Sequence, residues 1–119
     1  MKALSVRQPW AELIACGRKT VELRSRRTLY RGPLLICAGG AWHVEGARLH
    51  GRIGERGVTV CVVDLADCRP VEGSDAKAIC LPESGVVRLG GYAWVLRNAY
   101  RVEPTPMLGK LGVFPIRAT

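Results

Sequence analysis

A basic segment near the N-terminus contains the residue types with the clearest chemical potential. Residues 17–27 read GRKTVELRSRR, and five of these eleven residues are Lys or Arg. Glu22 stands among them, three residues after Lys19 and two before Arg24. A carboxylate beside cations stays ionised, so it can orient a cation, accept a hydrogen bond from a base amine or act as a base. The alternative is a solvated cluster of ion pairs, each contributing about 0–1 kcal/mol.

The wider charge distribution indicates what such a segment would bind. The chain carries 18 basic and 10 acidic residues, a net charge of +8. Residues 1–31 hold eight basic and two acidic residues, or +6, so the other residues hold ten basic and eight acidic, or +2. A charge concentrated in one segment predicts a polyanionic partner, usually nucleic acid. A generic basic surface is the alternative.

Two strands and a short helix must position the basic segment. Residues 3–6 (ALSV) predict an apolar strand. A helix of about two turns is predicted next, because three apolar residues recur at i, i+3 and i+4 spacing: Trp10, Leu13 and Ile14. Gly17 is the expected left-handed residue that ends this helix. This helix would connect the opening strand to the basic segment.

The strand that follows should place the charged residues on one face. In residues 20–24, Val21 and Leu23 alternate with polar residues, which predicts a half-buried strand with Glu22 and Arg24 on the same side. If the helix folds back on the sheet, the guanidinium of Arg7 and the amide of Gln8 come near this face. The pattern therefore predicts a polar site at the end of the opening strand.

The rest of the chain predicts a small α+β domain. Further strands are expected over residues 34–38, ended by Gly39-Gly40, and over residues 58–66 and 92–102. Residues 41–50 are expected to form a helix weakened by Gly46, and one helical turn is expected over residues 75–80. A glycine-spaced GKLGVFPI segment closes the chain. The expected architecture is one domain over residues 1–119, a small mixed or mostly antiparallel β-barrel with two or three short helices.

Aromatic and histidine side chains could complete a nucleic-acid site. Trp10 could stack on a base, but it is in register with the apolar face of its helix and is expected in the core, as is Trp94 within its strand. Trp42 follows two glycines and could instead stack on a base. His43 could bond a ligand or transfer a proton, with an exposed polar role as the alternative.

Several functional classes are not supported by the sequence. The five cysteines are widely spaced and form no CxxC pair, which argues against a zinc cage or disulfide framework. No metal or cofactor site is expected, and no phosphate-binding glycine motif is present. No apolar run reaches the roughly 18 residues of a membrane helix. These features predict a cytoplasmic protein that is not bound to a membrane.

The chain resembles the ASCH domain family. The residues that carry the resemblance are LSVRQPWAELIACGRKTVELRS and YRGPLLICAG, which contain the Gly-x-Lys-x-x-Glu-x-Arg pattern as Gly17, Lys19, Glu22 and Arg24. The resemblance implies a PUA-like β-barrel with a cleft lined by this pattern and the first helix. It also implies RNA or nucleotide-like ligands. Under this hypothesis single-stranded RNA contacts Arg7, Gln8, Lys19, Glu22, Arg24, Arg26, Arg27, Trp42 and His43.

The resemblance also implies an enzymatic alternative. Some relatives cleave RNA, and one branch resembles an amidohydrolase acting on N4-acetylcytidine. Lys19 matches the catalytic lysine of that branch, but its catalytic threonine falls where this chain has Glu22, and Asp64 or Asp67 would stand in for its glutamate. In ribonuclease relatives a lysine and a tyrosine matter, which correspond to Lys19 and, by proximity, Tyr30. In either reaction Lys19 would be base or nucleophile and Glu22 would hold it in place. A protein-interaction domain is a third class.

Overall fold

A computed structural model describes residues 1–107 and the backbone of residues 113–115. The strands are β1 (Lys2–Gln8), β2 (Val21–Arg24), β3 (Gly32–Trp42), β4 (Thr59–Pro70), β5 (Tyr92–Arg101) and β6 (Val113–Pro115). The α-helices are α1 (Trp10–Ala15), α2 (Val44–His50), α3 (Ala76–Ile79) and α4 (Glu83–Leu89). A 3-10 turn at Gly73–Asp75 precedes α3.

The strands form one mixed sheet in the order β2-β5-β4-β3-β1-β6. Only β1 and β3 pair in parallel among the described strands, and the other pairs are antiparallel. Register shifts interrupt the pairing of β4 with both of its neighbours. Such irregularities bend strands and increase their twist, which curls the sheet into a partial barrel. The predicted α+β class with a small curled sheet is confirmed.

The core confirms the apolar patterns of α1 and β4. Leu13 and Ile14 of α1 are at most 1% exposed, and they pack against the concave face of the sheet. In β4, Val63 packs in this main core, whereas Val62 packs in a smaller cluster on the opposite face. Because both faces of β4 are covered, its sequence is an almost continuous apolar run. Trp94 is buried as predicted.

Two boundaries differ from the sequence predictions. Gly39 and Gly40 do not end β3, which continues to Trp42. After a register shift Gln8 of β1 pairs with Trp42, so the sheet keeps the glycines in extended conformation. Helix α4 was not predicted because Pro82, Gly85 and Gly90 read as loop signals. In the structure Pro82 precedes the first helical residue, where its missing N–H costs nothing.

The described part of the chain therefore has four short α-helices rather than two or three. None of these helices is long and apolar enough to cross a membrane. The predicted helices near residues 41–50 and 75–80 are present as α2 and α3. Of the closing GKLGVFPI segment, only the backbone of β6 falls within the described residues. All five cysteines are free thiols, and Cys37 and Cys61 are buried in the core.

Candidate functional site

A large cleft of about 860 Å³ opens beside the sheet. Its lining comes from the second half of β1, from β2, from the last part of β3, and from helices α2 and α4. Trp10 and Ile79 contribute apolar surface, and they are 7% and 1% exposed. The cleft thus combines a buried apolar interior with polar side chains from elements far apart in sequence.

The end of α1 directs the basic segment into this cleft. Gly17 has a φ of +84°, a left-handed conformation that favours glycine. The backbone N–H of Lys19 then donates to the carbonyl of Leu13 over 2.9 Å, and that of Thr20 donates to the carbonyl of Ala78 over 3.0 Å. These bonds fix the chain between α1 and β2. As a result the Lys19 side chain enters the cleft rather than the solvent.

Lys19, Glu22 and Arg24 form a connected cluster in the cleft wall. Lys19 Nζ lies 3.5 Å from Glu22 Oε1, and Arg24 Nε donates to Glu22 Oε2 over 2.9 Å. The side chains of Lys19 and Glu22 are only 2% and 8% exposed. The alternative of a solvated surface cluster is therefore wrong for this pair. An ion pair withdrawn from water needs both partners, because either charge alone would be left uncompensated.

The ammonium group of Lys19 has further partners within the protein. Its Nζ donates to the carbonyl of Ile79 over 2.8 Å and lies 4.8 Å from the centroid of the Trp10 ring. Burial lowers the pKa of Lys19 below its usual value, and the nearby Glu22 carboxylate opposes this shift. The amine is thus held in place between a carbonyl, a carboxylate and an aromatic face.

Arg24 links the two strands that flank the cleft. Its Nη2 donates to the backbone carbonyl of Ser5 over 2.8 Å, in addition to its bond with Glu22. Strand β6 pairs with β1 only at Lys2–Leu4, so in the described part of the chain Ser5 has no strand partner on that side. The guanidinium therefore supplies the Ser5 carbonyl with the donor that a neighbouring strand would otherwise provide, and it orients Glu22 at the same time.

His43 begins helix α2 at the edge of the cleft. Its Nδ1 accepts the backbone N–H of Gly46 over 3.0 Å, so the proton of the neutral imidazole is on Nε2. Burial lowers the pKa of His43, with Arg7 as the next contribution in the same direction. The ring packs against Trp10 with a centroid separation of 5.3 Å. The cleft is therefore lined by a neutral histidine with one available N–H donor.

Three exposed arginines surround the mouth of the cleft: Arg7, Arg48 and Arg88. Arg48 pairs with Glu45 through Nη2 and Oε1 at 2.5 Å. Within the described residues, Arg7 and Arg88 make no ion pair. Arg48 and Arg88 come from α2 and α4, and sequence reasoning missed both because neither lies near the Gly-x-Lys-x-x-Glu-x-Arg pattern. The mouth is thus positive, while its deepest carboxylate is already paired.

Comparison with known proteins identifies the family. The family model described as "ASCH domain" matches residues 4–106. The chain belongs to the ASCH domain family. No curated protein matches it significantly.

Solved ASCH structures share the fold at low sequence identity. The ASCH protein of Zymomonas mobilis is 17% identical, with a TM-score of 0.65 over 88% of this chain and 72% of that one. A tyrosine-to-phenylalanine mutant of it is 18% identical, with a TM-score of 0.62 over 88% of this chain and 74% of that one. A serine-to-alanine mutant is 17% identical, with a TM-score of 0.62 over 89% and 73%. These matches establish a common fold.

Within this ASCH domain, the structure brings five predicted site residues to the cleft: Arg7, Lys19, Glu22, Arg24 and His43. Gln8 lies outside the cleft and is 1% exposed. Its amide donates to the carbonyl of Glu55 and accepts the backbone N–H of Glu12, both over 2.8 Å. Gln8 therefore connects β1 to α1 and to the loop after α2. Trp10 is buried, as expected, and it also lines the cleft.

The remaining predicted residues lie outside the cleft lining. Arg26 and Arg27 are exposed just beyond β2, after Ser25, which does line the cleft. The ring of Trp42 lies 5.1 Å from the guanidinium carbon of Arg56. The Tyr30 hydroxyl donates to the carbonyl of Pro33. Neither Asp64 nor Asp67 lines the cleft. Asp64 accepts a hydrogen bond from Asn98, and Asp67 lies 3.8 Å from Arg31.

The donor set does not resemble a metal centre. In the described ranges no group of three or more His, Cys, Asp and Glu side chains is placed to hold a metal ion. No buried side-chain nitrogen or oxygen there is left without a hydrogen-bond partner. The cleft is therefore a site built from hydrogen bonds, apolar surface and positive charge.

Proposed function

We propose that this ASCH domain binds single-stranded RNA, with one nucleotide in the cleft and the flanking backbone along the arginines at its mouth. Membership of the ASCH family supports a general role in RNA binding. The observation that carries the proposal is that the interior of the cleft and its mouth have different chemical character. Apolar surface and a paired carboxylate lie inside, and exposed arginines lie outside.

The size and lining of the cleft suit a nucleotide. Small-molecule sites usually span about 300–1,000 Å³ and combine apolar walls with a few polar groups. The volume of about 860 Å³ falls in this range, and Trp10 supplies aromatic surface. Single-stranded RNA is favoured over duplex because unpaired bases can leave the stack and expose their edges. A base would occupy the interior, where a phosphate would be repelled by Glu22.

In this proposal the exposed cations contact the phosphates. Lys19 is 2% exposed and already engaged with Glu22 and a backbone carbonyl, so it serves the carboxylate rather than a phosphate. Arg7 and Arg88 are exposed at the mouth without an ion-pair partner among the described residues. Arg26 and Arg27 extend this positive surface beyond β2. A backbone crossing the mouth would meet these groups in succession.

Fluorescence anisotropy with labelled oligonucleotides tests the proposal. Single-stranded RNA should bind at low salt, with log K falling linearly against log salt concentration by about 0.7 per phosphate contact. Duplex RNA of the same sequence should bind more weakly, since its base edges are occupied. Absence of binding to single-stranded RNA at low salt would overturn the proposal.

A second candidate, an RNA-directed hydrolase, rests on the amine of Lys19. Burial lowers the pKa of this group, which is a property of lysines that act as bases or nucleophiles. The substrate would be an RNA phosphodiester or a modified nucleoside such as N4-acetylcytidine. Incubation of both substrates with wild type and with Lys19→Ala tests this. Turnover that survives the substitution excludes the mechanism, and so does absence of turnover in the wild type.

A further inference from the structure

We propose that the cleft selects guanine, because Glu22 offers an ionised carboxylate with free acceptor capacity to two adjacent N–H donors. This inference rests on the proposed RNA-binding function and names the base that the site reads. It follows from three observations: how Glu22 is held, which of its acceptor positions are used, and which donor lines the same cleft.

Glu22 is held as a carboxylate and retains acceptor capacity. An ionised carboxylate has roughly four lone-pair positions and no donor. Lys19 approaches Oε1 at 3.5 Å and Arg24 donates to Oε2 over 2.9 Å, so each oxygen has a single cationic partner among the described residues. The residue lines the cleft while being only 6% exposed. A ligand in the cleft would meet a carboxylate with acceptor positions that these two partners do not fill.

Only one RNA base matches such an acceptor with two neighbouring donors. The Watson–Crick edge of guanine presents N1–H beside the N2 amino group. In adenine and cytosine the amino group stands next to an acceptor nitrogen, and in uracil one N–H stands between two carbonyls. A carboxylate would repel those acceptors, whereas it can accept both donors of guanine in parallel. Hydrogen bonds to a charged group discriminate more strongly than neutral ones.

His43 supplies a complementary group in the same cleft. Because its Nδ1 accepts the Gly46 N–H, its Nε2 carries the proton and is a donor. The third group on the guanine edge is the O6 carbonyl, which accepts. A carboxylate and an imidazole N–H thus match the donor and acceptor types of one base. The lowered pKa of His43 is consistent with this neutral tautomer.

Binding of the wild-type protein to matched oligonucleotides tests the inference. The probe is a short oligouridylate whose central position carries guanosine, inosine, adenosine, cytidine or uridine, measured by fluorescence anisotropy. Guanosine should bind about 10–100-fold more tightly than adenosine, cytidine or uridine. Inosine lacks the N2 amino group but keeps N1–H and O6, so its affinity should be intermediate.

The variants separate base reading from general binding. Glu22→Gln should abolish the preference for guanosine, and Glu103→Gln, at an exposed carboxylate outside the cleft, should keep it. Because Glu22→Gln also removes the charge that compensates Lys19 and so lowers stability, the comparison of bases with the wild-type protein decides the inference. Equal affinities, or preference for another base, overturn guanine selection while RNA binding stands. Absence of binding to every oligonucleotide contradicts the proposed function, and the inference falls with it.

Discussion

Two buried carboxylates in the described part of the chain are paired with arginine, yet only one of these two lines the cleft. Asp75 is 7% exposed and Glu22 is 6% exposed. Asp75 accepts two bonds from Arg69, over 2.7 and 2.9 Å, and a third from the backbone N–H of Glu72 over 2.9 Å. It fastens the 3-10 turn before α3 to the end of β4. Its acceptor positions are mostly occupied by the protein itself.

Glu22 differs from Asp75 in the number of its acceptor positions that the protein occupies and in its location beside the cleft. It accepts one hydrogen bond from Arg24 and makes a longer contact with Lys19, and its carboxylate lines the cleft. Burial and pairing with arginine do not distinguish the two carboxylates, because Glu22 and Asp75 share both properties. The comparison shows that remaining acceptor capacity next to an open cleft distinguishes a candidate binding group from a structural one.

The largest effect is expected for Glu22→Ala. This change leaves the buried ammonium of Lys19 without its carboxylate and removes one of the two partners of Arg24. Leaving a buried charge uncompensated costs about 3–5 kcal/mol. Urea denaturation should therefore show a loss of this size in the free energy of unfolding. A loss below about 1 kcal/mol would indicate that Lys19 is neutral or solvated in the folded protein.

Asp75→Asn should lower stability without altering binding. The amide cannot accept both bonds from Arg69, and Arg69 is partly exposed, so the expected loss is about 1–2 kcal/mol in the free energy of unfolding. RNA affinity, measured under conditions where the variant is folded, should match that of the wild type. A clear loss of affinity would remove the distinction drawn between the two carboxylates.

Removing the exposed arginines should alter salt dependence rather than stability. The double change Arg7→Ala and Arg88→Ala should reduce the log–log salt slope of RNA binding by roughly 0.7 per lost contact. Preference among bases should persist, because Glu22 remains. Arg97→Ala provides the control, since this exposed residue of β5 lies outside the cleft lining. An unchanged slope in the double variant would place the RNA backbone elsewhere.

The smallest effect concerns the pH dependence contributed by His43. Burial and Arg7 lower its folded-state pKa, whereas in the unfolded chain the ring titrates near 6.5. As pH falls below 6.5 the unfolded state takes up the proton more readily, so stability decreases until the lowered pKa is reached. Glu22 and Glu45 oppose the shift, and Lys19 adds to it. The decrease should be below about 1 kcal/mol.

The variant His43→Asn isolates this contribution. Asparagine can still accept the Gly46 N–H as an N-cap residue, but it does not titrate. Its unfolding free energy should therefore vary less between pH 5 and 6.5 than that of the wild type, as measured by urea denaturation. Parallel pH profiles for the two proteins would contradict the expectation.

Much of the fold could be read from local patterns. The i, i+3, i+4 spacing in α1 reflects one buried face, which is why its sequence predicted the helix. The alternation in β2 also predicted a strand, but not its burial, because Val21 and Glu22 on opposite faces are both buried. Helix α4 and the extension of β3 were missed because proline and glycine were taken as interruptions. Proline before a first helical turn and glycine in an extended strand are both compatible with the observed elements.

The cleft was only partly predictable. Lys19, Glu22 and Arg24 lie close in sequence, so a short pattern could reveal them. Arg48 and Arg88 reach the mouth through helices distant in sequence, and no local signal indicates their position. The amide of Gln8 was predicted to contact a ligand, but tertiary packing directs it to the loop after α2. Side-chain direction at such positions is decided by packing that a single sequence does not display.

The bond from Arg24 to the Ser5 carbonyl has a mechanical consequence. Strands β2 and β1 lie on opposite sides of the sheet order, and in the described part of the chain this guanidinium spans the gap between them. The cleft therefore lies at the gap of an incompletely closed barrel, and the Arg24 side chain bridges that gap. A ligand bound to Glu22 would contact the carboxylate that holds the Arg24 guanidinium in place. Occupancy of the cleft should therefore stabilise the contact between β1 and β2 and reduce the conformational fluctuations of the whole barrel, so Glu22 couples ligand recognition to rigidity.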